Sequence, residues 1–325
     1  MNHLTDKIKQ FLIPAAIVLP IAVCIILATR ISFLENRIAG REAYEALGTR
    51  ESRLVQLSWY DENVYPGMDE GTENLLLAEY VGADLAEYIP EVVSGLNDNQ
   101  IQTADGLTYA SDTASDGVHR VYLTFDDGPS IYTDDILDIL NEYGVKATFF
   151  VVGRENTASY ARYLRIVEEG HTLGMHSYSH VYSDIYASPE AFAEDTQRIR
   201  SLLEDVTGQT PVFYRFPGGS SNDVSATDVR ELAEYLDSQG IIYFDWNVSS
   251  GDAGRVPLTS DQIVRNALAG IETRDTTVIL FHDTAAKRAT VYALPQIIEA
   301  LQAMDNVEIL PITYDTAVIR HDIGM

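Results

Sequence analysis

After about residue 118 the chain alternates seven times between a short β-rich run and a stretch with helical patterning. No other feature constrains its folding as tightly. The runs cover residues 121–125, 147–152, 172–175, 212–216, 241–246, 277–281 and 308–312. Helix signals stand between them. Thr133 precedes Asp134 with Gly144 at the far end, and Ser188 and Pro189 open a stretch that stops near Gly208. Strands separated by helix-length crossovers pair in parallel, because a parallel neighbour cannot be reached by a tight hairpin. About 200 residues suit a compact α/β barrel of fewer than eight units.

The polar residues that end these runs fall in one register. Asp126 and Asp127 follow the first run, His176 and His180 the third, and Arg215 closes the fourth. Trp246 and Asp252 come at the end of the fifth, and His282 at the end of the sixth. In a parallel barrel the C-terminal strand ends share one face, the face on which active sites are built. The adjacent carboxylates of TFDDGPS (124–130) can divide two jobs, one holding a metal and the other staying free as a base. In MHSYSH (175–180) the two histidines stand four apart, a spacing that a helical turn or tight loop can aim at a single ion. Two histidines and a carboxylate leave positions open for water, and a bound Zn²⁺ lowers the pKa of water from about 15.7 to about 7. The same ligand set also describes non-haem iron oxygenases, which have no use for a second free aspartate.

RFPGGS (215–220), DWNVSSGD (245–252) and ILFHD (279–283) complete the series. In this order the five motifs resemble the polysaccharide deacetylases of carbohydrate esterase family 4, which share the chitooligosaccharide deacetylase homology domain. The details of RFPGGS and of the segment around Trp246 are more similar to bacterial wall-modifying members, the membrane-anchored peptidoglycan N-acetylglucosamine deacetylases, than to xylan esterases. The resemblance spans roughly residues 119–318 and implies a distorted (β/α)7 barrel. It implies that Asp127, His176 and His180 hold a divalent ion, Zn²⁺ first, with Co²⁺, Ni²⁺ or Fe²⁺ as alternatives. Asp126 is then the base, held ionised by Arg215, and His282 the acid that protonates the leaving amine, oriented by Asp252. The residue after the RxP proline supplies an oxyanion N–H; it is commonly tyrosine in the family and is Gly218 here. Trp246 and Leu280 match positions lining an acetate pocket. His119, His171 and His321 match no motif and are read as structural. The implied activity is removal of N-acetyl groups from an envelope glycan, peptidoglycan ahead of chitin-like chains. O-acetyl ester hydrolysis on xylan-like polymers and an idle glycan-binding module on the same fold are the alternatives.

The remainder of the chain suggests a tether. Residues 11–28 are almost wholly apolar, long enough to cross ~30 Å of hydrocarbon at 1.5 Å per residue. No clean small-x-small site follows, so an uncleaved signal anchor is expected, with residues 1–30 forming a cytoplasmic tail and transmembrane helix. Lys7 and Lys9 on one side and Arg30, Arg37 and Arg41 on the other leave flanking charge undecided. A polymeric substrate places residues 31–325 outside the cell. Residues 31–118 read as a partly helical stalk, amphipathic over 75–93 and a flexible linker over 103–117, ahead of a catalytic domain at 119–325. The single cysteine, Cys24, lies in the apolar span and rules out an intrachain disulfide. A formal charge of −27 argues against nucleic acid and against electrostatic attraction to anionic lipid. Nothing in the sequence fixes the oligomeric state.

Overall fold

The structure, a computed structural model, describes residues 108–109, 117–254 and 256–324. Its strands are β1 (Thr108–Tyr109), β2 (His119–Asp126), β3 (Thr148–Val151), β4 (Thr172–Met175), β5 (Phe213–Tyr214), β6 (Ile242–Tyr243), β7 (Val248–Ser249), β8 (Thr276–His282), β9 (Val307–Ile309) and β10 (Ile319–Arg320). The helices are α1 (Thr133–Glu142), α2 (Thr157–Glu168), α3 (Tyr182–Ile185), α4 (Pro189–Thr207), α5 (Val229–Ser238), α6 (Ser260–Ala267) and α7 (Arg288–Gln302). Seven strands lie side by side in the order β6-β5-β4-β3-β2-β8-β7, and every pairing along that path is parallel. The two ends of the path, β6 and β7, are consecutive in the chain, and among the described residues no ladder joins them. The barrel is therefore split along one seam.

The seventh strand is not the one the sequence suggested. The last β-rich run forms β9, which pairs with the lower part of β2, from His119 opposite Val307 to Val121 opposite Ile309. β2 is eight residues long and β3 joins it only from Thr124 upward, so the lower half of that edge is left for β9. The seventh position belongs to β7, two residues inside the segment following Trp246. Its Val-Ser pair carries no apolar run, and the pattern could not announce it. Residues 108–109, inside the stretch expected as a linker, form β1 and pair antiparallel with β10. Residues 11–28 and 75–93 lie outside the described residues. Among those described, no helix is long and apolar enough to cross a membrane.

Strand alternation sorts the side chains into two cores. Val121, Leu123 and Phe125, Phe149 and Val151, Leu173 and Met175, and Ile279 and Phe281 belong to the large core under the helices. Residues of the opposite parity, Tyr122, Phe150, Phe213, Phe244 and Val278, join Ile312 and Ile319 in a smaller cluster that fills the floor of the barrel. The helix ends follow the expected chemistry at α4, where Ser188 accepts the Ala191 N–H, Pro189 takes the first position and Gly208 closes the helix at φ +77°. At α1 they do not. Tyr132 takes the N-cap without a side-chain bond, and the Thr133 hydroxyl turns instead to Asp283 at 2.6 Å and to the Ser130 carbonyl at 3.1 Å.

Candidate active site

Continuing the inward parity upward from the floor leads directly to the motif residues. Tyr122, Thr124 and Asp126 share one face of β2, Val278, Leu280 and His282 one face of β8, and Phe213 is followed two residues later by Arg215. Arg215 forms the layer between floor and site and is fully buried. Its Nη1 donates to Thr124 Oγ1 at 2.7 Å and to Asp126 Oδ1 at 2.8 Å. Nε and Nη2 donate to the carbonyls of Phe244 and Asp245 at 3.1 and 2.9 Å. Its guanidinium lies 4.3 Å from the centre of the Phe150 ring. That ring has room because residue 174 is glycine, where a Cβ would stand 2.6 Å from Phe150 Cδ1. A buried cation held by a carboxylate and three further oxygens is compensated, which is the condition for burying it at all.

Asp127 points away from Arg215. Its Oδ1 lies 3.4 Å from His176 Nε2 and 3.1 Å from His180 Nε2. One ligand atom from each of these three residues falls within 4.8 Å of the others. Asp127 Oδ1 is buried without a hydrogen-bond partner. A buried carboxylate oxygen facing two imidazole nitrogens suits a cation. His176 supports this reading, since its Nδ1 faces the Arg215 carbonyl at 2.9 Å and must carry the proton, leaving the Nε2 lone pair toward Asp127. Burial, opposed by Asp126 and Asp127, lowers the His176 pKa to about 4, which keeps the imidazole neutral. Burial alone would raise Asp127, but His180, aided by His282 and His176, holds its carboxyl well below the usual range.

The backbone here is strained into place. Asp127, Ser177 and His180 adopt φ of +72°, +76° and +56°, a region non-glycine residues seldom occupy. The histidine loop is pinned by Ser177 Oγ, which accepts the His180 N–H at 2.9 Å. It is pinned again by Asp195 of α4, which accepts the N–H groups of Tyr178 and Ser179 at 2.6 and 3.0 Å and the Ser179 hydroxyl at 2.8 Å.

His282 closes the site from β8. Its Nδ1 meets Asp252 Oδ1 at 2.7 Å, while Asp252 Oδ2 accepts the His282 N–H at 2.9 Å and the Thr290 hydroxyl at 2.8 Å. Burial alone would lower this imidazole, but Asp252, with smaller contributions from Asp127 and Asp126, raises it to about 9. A neutral histidine and a charged one thus occupy the same cavity mouth. The neutral imidazole keeps a lone pair free to bind a cation, while the charged one keeps a proton to give.

The family model for polysaccharide deacetylases matches residues 114–235. The crystal structure of the catalytic domain of peptidoglycan N-acetylglucosamine deacetylase from Eubacterium rectale ATCC 33656 is 38% identical, with a TM-score of 0.61, and the match covers 66% of this chain and 98% of that one. This chain belongs to the polysaccharide deacetylase family, carbohydrate esterase family 4. It is 35% identical over 192 residues to the putative polysaccharide deacetylase YheN of Bacillus subtilis (strain 168), and 34% identical over 196 residues to the bifunctional xylanase/deacetylase of Pseudobutyrivibrio xylanivorans. These matches cover 57% and 59% of this chain, but only 64% and 30% of those relatives, less than two thirds of either.

The remaining motif residues of this family member sit on the same rim. Gly218 and Gly219 have φ of +78° and +80°. The Gly218 N–H meets no acceptor among the described residues. A Cβ on Gly218 would stand 3.2 Å from Tyr182 Oη, so α3 already occupies part of the space a larger residue would use. Trp246 is half-buried, 5.8 Å from the Arg215 guanidinium, and Leu280 is buried on the same parity as His282. His119 bonds the Arg274 carbonyl and His171 accepts the Ala147 N–H, both away from the motif residues. Four residues that sequence reasoning did not assign to the site support it. Asp195 holds the histidine loop, and Asp283 accepts hydroxyls from Ser130 and Thr133 at 2.5 and 2.6 Å, fixing the turn that follows Asp127. Asp245 accepts the Ser220 N–H at 2.8 Å, and His321 joins it. Asp245 and Asp283 sit within recognised motifs, yet nothing in their spacing shows what they bind.

Proposed function

We propose that this chain is a metal-dependent N-deacetylase of amino sugars in a cell-envelope glycan, peptidoglycan first, and that residues 11–28 tether it to the membrane with the barrel outside the cell. The observation that carries the chemistry is the orphaned Oδ1 of Asp127 facing His176 and His180, with the separately held Asp126 beside it. Those three residues would hold the ion, and their mixed nitrogen and oxygen donors suit Zn²⁺, with Co²⁺ and Ni²⁺ as replacements. When bound, such an ion supplies Lewis acidity to a carbonyl oxygen and makes water a stronger acid.

The chain's own groups divide the remaining work. Arg215 occupies Oδ1 of Asp126, leaving Oδ2 to take a proton from the attacking water as its oxygen bonds to the acetyl carbon. The Gly218 N–H donates to the oxygen that gains negative charge. His282, charged and held through Nδ1 by Asp252, gives the Nε2 proton to the amine nitrogen as the C–N bond breaks. Water and amide go in; acetate and a free amine come out.

Peptidoglycan is favoured by the name of the matched Eubacterium rectale domain and by the expected tether. The Pseudobutyrivibrio xylanivorans relative, named as a xylanase and deacetylase, keeps O-acetyl ester hydrolysis as the second reading. The test treats purified peptidoglycan with the Zn²⁺-loaded full chain, digests it with a muramidase that tolerates free amines, and weighs the fragments. Loss of acetyl from glucosamine residues is expected. Deacetylation of acetylated xylan with peptidoglycan untouched would replace this reading with the ester hydrolase.

A further inference from the structure

The seam between β6 and β7 is covered by the C-terminal end of the described chain. The Asp245 N–H donates to the Ile319 carbonyl at 2.8 Å, and the His321 N–H donates to Asp245 Oδ2 at 2.8 Å. Between them the Arg320 guanidinium lies 4.0 Å from the centre of the Tyr243 ring. This strap delivers the His321 ring edge-on to Trp246, with centroids 4.7 Å apart. Both ring nitrogens are engaged. Nε2 faces the Trp246 carbonyl at 3.0 Å and therefore carries a proton, and Nδ1 meets Ser221 Oγ at 2.9 Å.

His321 thus joins two walls of the site that the sequence keeps apart. One is Trp246, an inward-facing ring beside the arginine that holds Asp126. The other is the 215–221 loop, which carries the Gly218 N–H and is also tied through Ser220 to Asp245. Gly219 lies in the angle between them, where a Cβ would stand 2.9 Å from Trp246 Cη2 and 3.3 Å from His321 Nδ1. With glycine backbone on one side and the imidazole on another, the indole has little room to yield to a longer acyl chain.

We propose that His321 is a positioning residue that braces Trp246 against the 215–221 loop and thereby limits the size of the acyl group the site accepts. The acyl-size part rests on the deacetylase reading above; the bracing part does not. The test compares the Zn²⁺-loaded full chain with His321→Ala and His321→Gln on N-acetyl and N-propionyl glucosamine oligomers. In His321→Ala the preference for acetyl should narrow roughly tenfold, about what one methylene carries in an apolar pocket. His321→Gln, which keeps an N–H for the Trp246 carbonyl, should recover most of it. Equal loss of both rates in His321→Ala, with the ratio unchanged, would overturn the size limit.

A second measurement needs no turnover. The chain has two tryptophans, Trp59 and Trp246, so Trp59→Phe leaves Trp246 as the sole emitter. In that background, acrylamide quenching should rise with His321→Ala and with the milder Ser221→Ala, and stay near the parent value with His321→Gln. Unchanged quenching in both alanine variants would overturn the brace whatever the substrate. Quenching that rises while the parent chain releases no acetate would keep the brace and discard the deacetylase reading.

Discussion

Asp126 and Asp127 are chain neighbours with opposite surroundings, one held by a guanidinium and the other aimed at two imidazoles. The inversion of φ at Asp127, +72°, is what turns consecutive carboxylates to different partners. Asp126→Asn should keep its metal and lose about 10²- to 10⁴-fold in rate, the usual contribution of a general base. Asp127→Asn should lose metal affinity instead, so metal analysis beside kinetics separates the two; an Asp126→Asn protein that lost its ion would reverse the assignment. The acid step proposed for His282 requires the imidazolium, whose pKa Asp252 raises to about 9. Amide cleavage should therefore fall as pH climbs through about 9, and Asp252→Asn should move that limb toward the ordinary value near 6.5. The pair also contributes to stability. With the folded pKa above the unfolded one, the contribution is fully present below about 6.5 and fades as pH rises through about 9. Melting curves of the parent and Asp252→Asn should converge at the alkaline end of that window. At this scale the side chains to which chemistry is proposed all stand within the motifs. The roles of the residues that hold them, Asp195, Asp245, Asp283 and His321, were not legible, because a hydrogen bond between distant segments leaves no periodic trace.

Elements were legible in proportion to their apolar runs. β2, β3, β4 and β8 lie where the pattern put them, since each fills a buried register. β5 and β6 shrink to two residues each inside longer expected runs. β7 escaped notice because it is two residues long, a buried valine and an exposed serine, too short to show a period. Between α1 and α2, Arg165 is 1% exposed and is shared among Asp134, Asp138 and Glu169. Replacing it with methionine removes the cation beside the buried Asp138, a change that typically costs about 3–5 kcal/mol. Denaturant melts should show that loss. Gly174→Ala tests the layer below the site: the new methyl must displace the Phe150 ring, which underlies Arg215. The expected result is a drop in rate with metal content unchanged; lost metal would mean the damage spreads beyond the base.

For the molecule as a whole, a charge of −27 leaves recognition to short-range chemistry, because fields beyond about 8 Å are screened at physiological salt. The expected anchor at 11–28 lies outside the described residues, and its check is fractionation: the full chain should sediment with membranes, and protease added to intact cells should reach the barrel. A chain beginning at residue 117 would lack β1 and leave one edge of β10 unpaired. It should melt a few degrees below one beginning at residue 105, since losing one or two backbone hydrogen bonds costs about 1–2 kcal/mol. The pairing of β1 with β10 has one more consequence. Thr108 stands opposite Arg320, so the barrel's polypeptide begins and ends at the same spot and is almost a ring. Rings have less freedom to lose. A Thr108→Cys, Arg320→Cys disulfide would close a loop of about 210 residues and shrink the unfolded ensemble, a gain of up to about 5 kcal/mol by chain-entropy reckoning. Oxidised and reduced forms would then report, through the difference in their melting points, how firmly the two ends already hold one another.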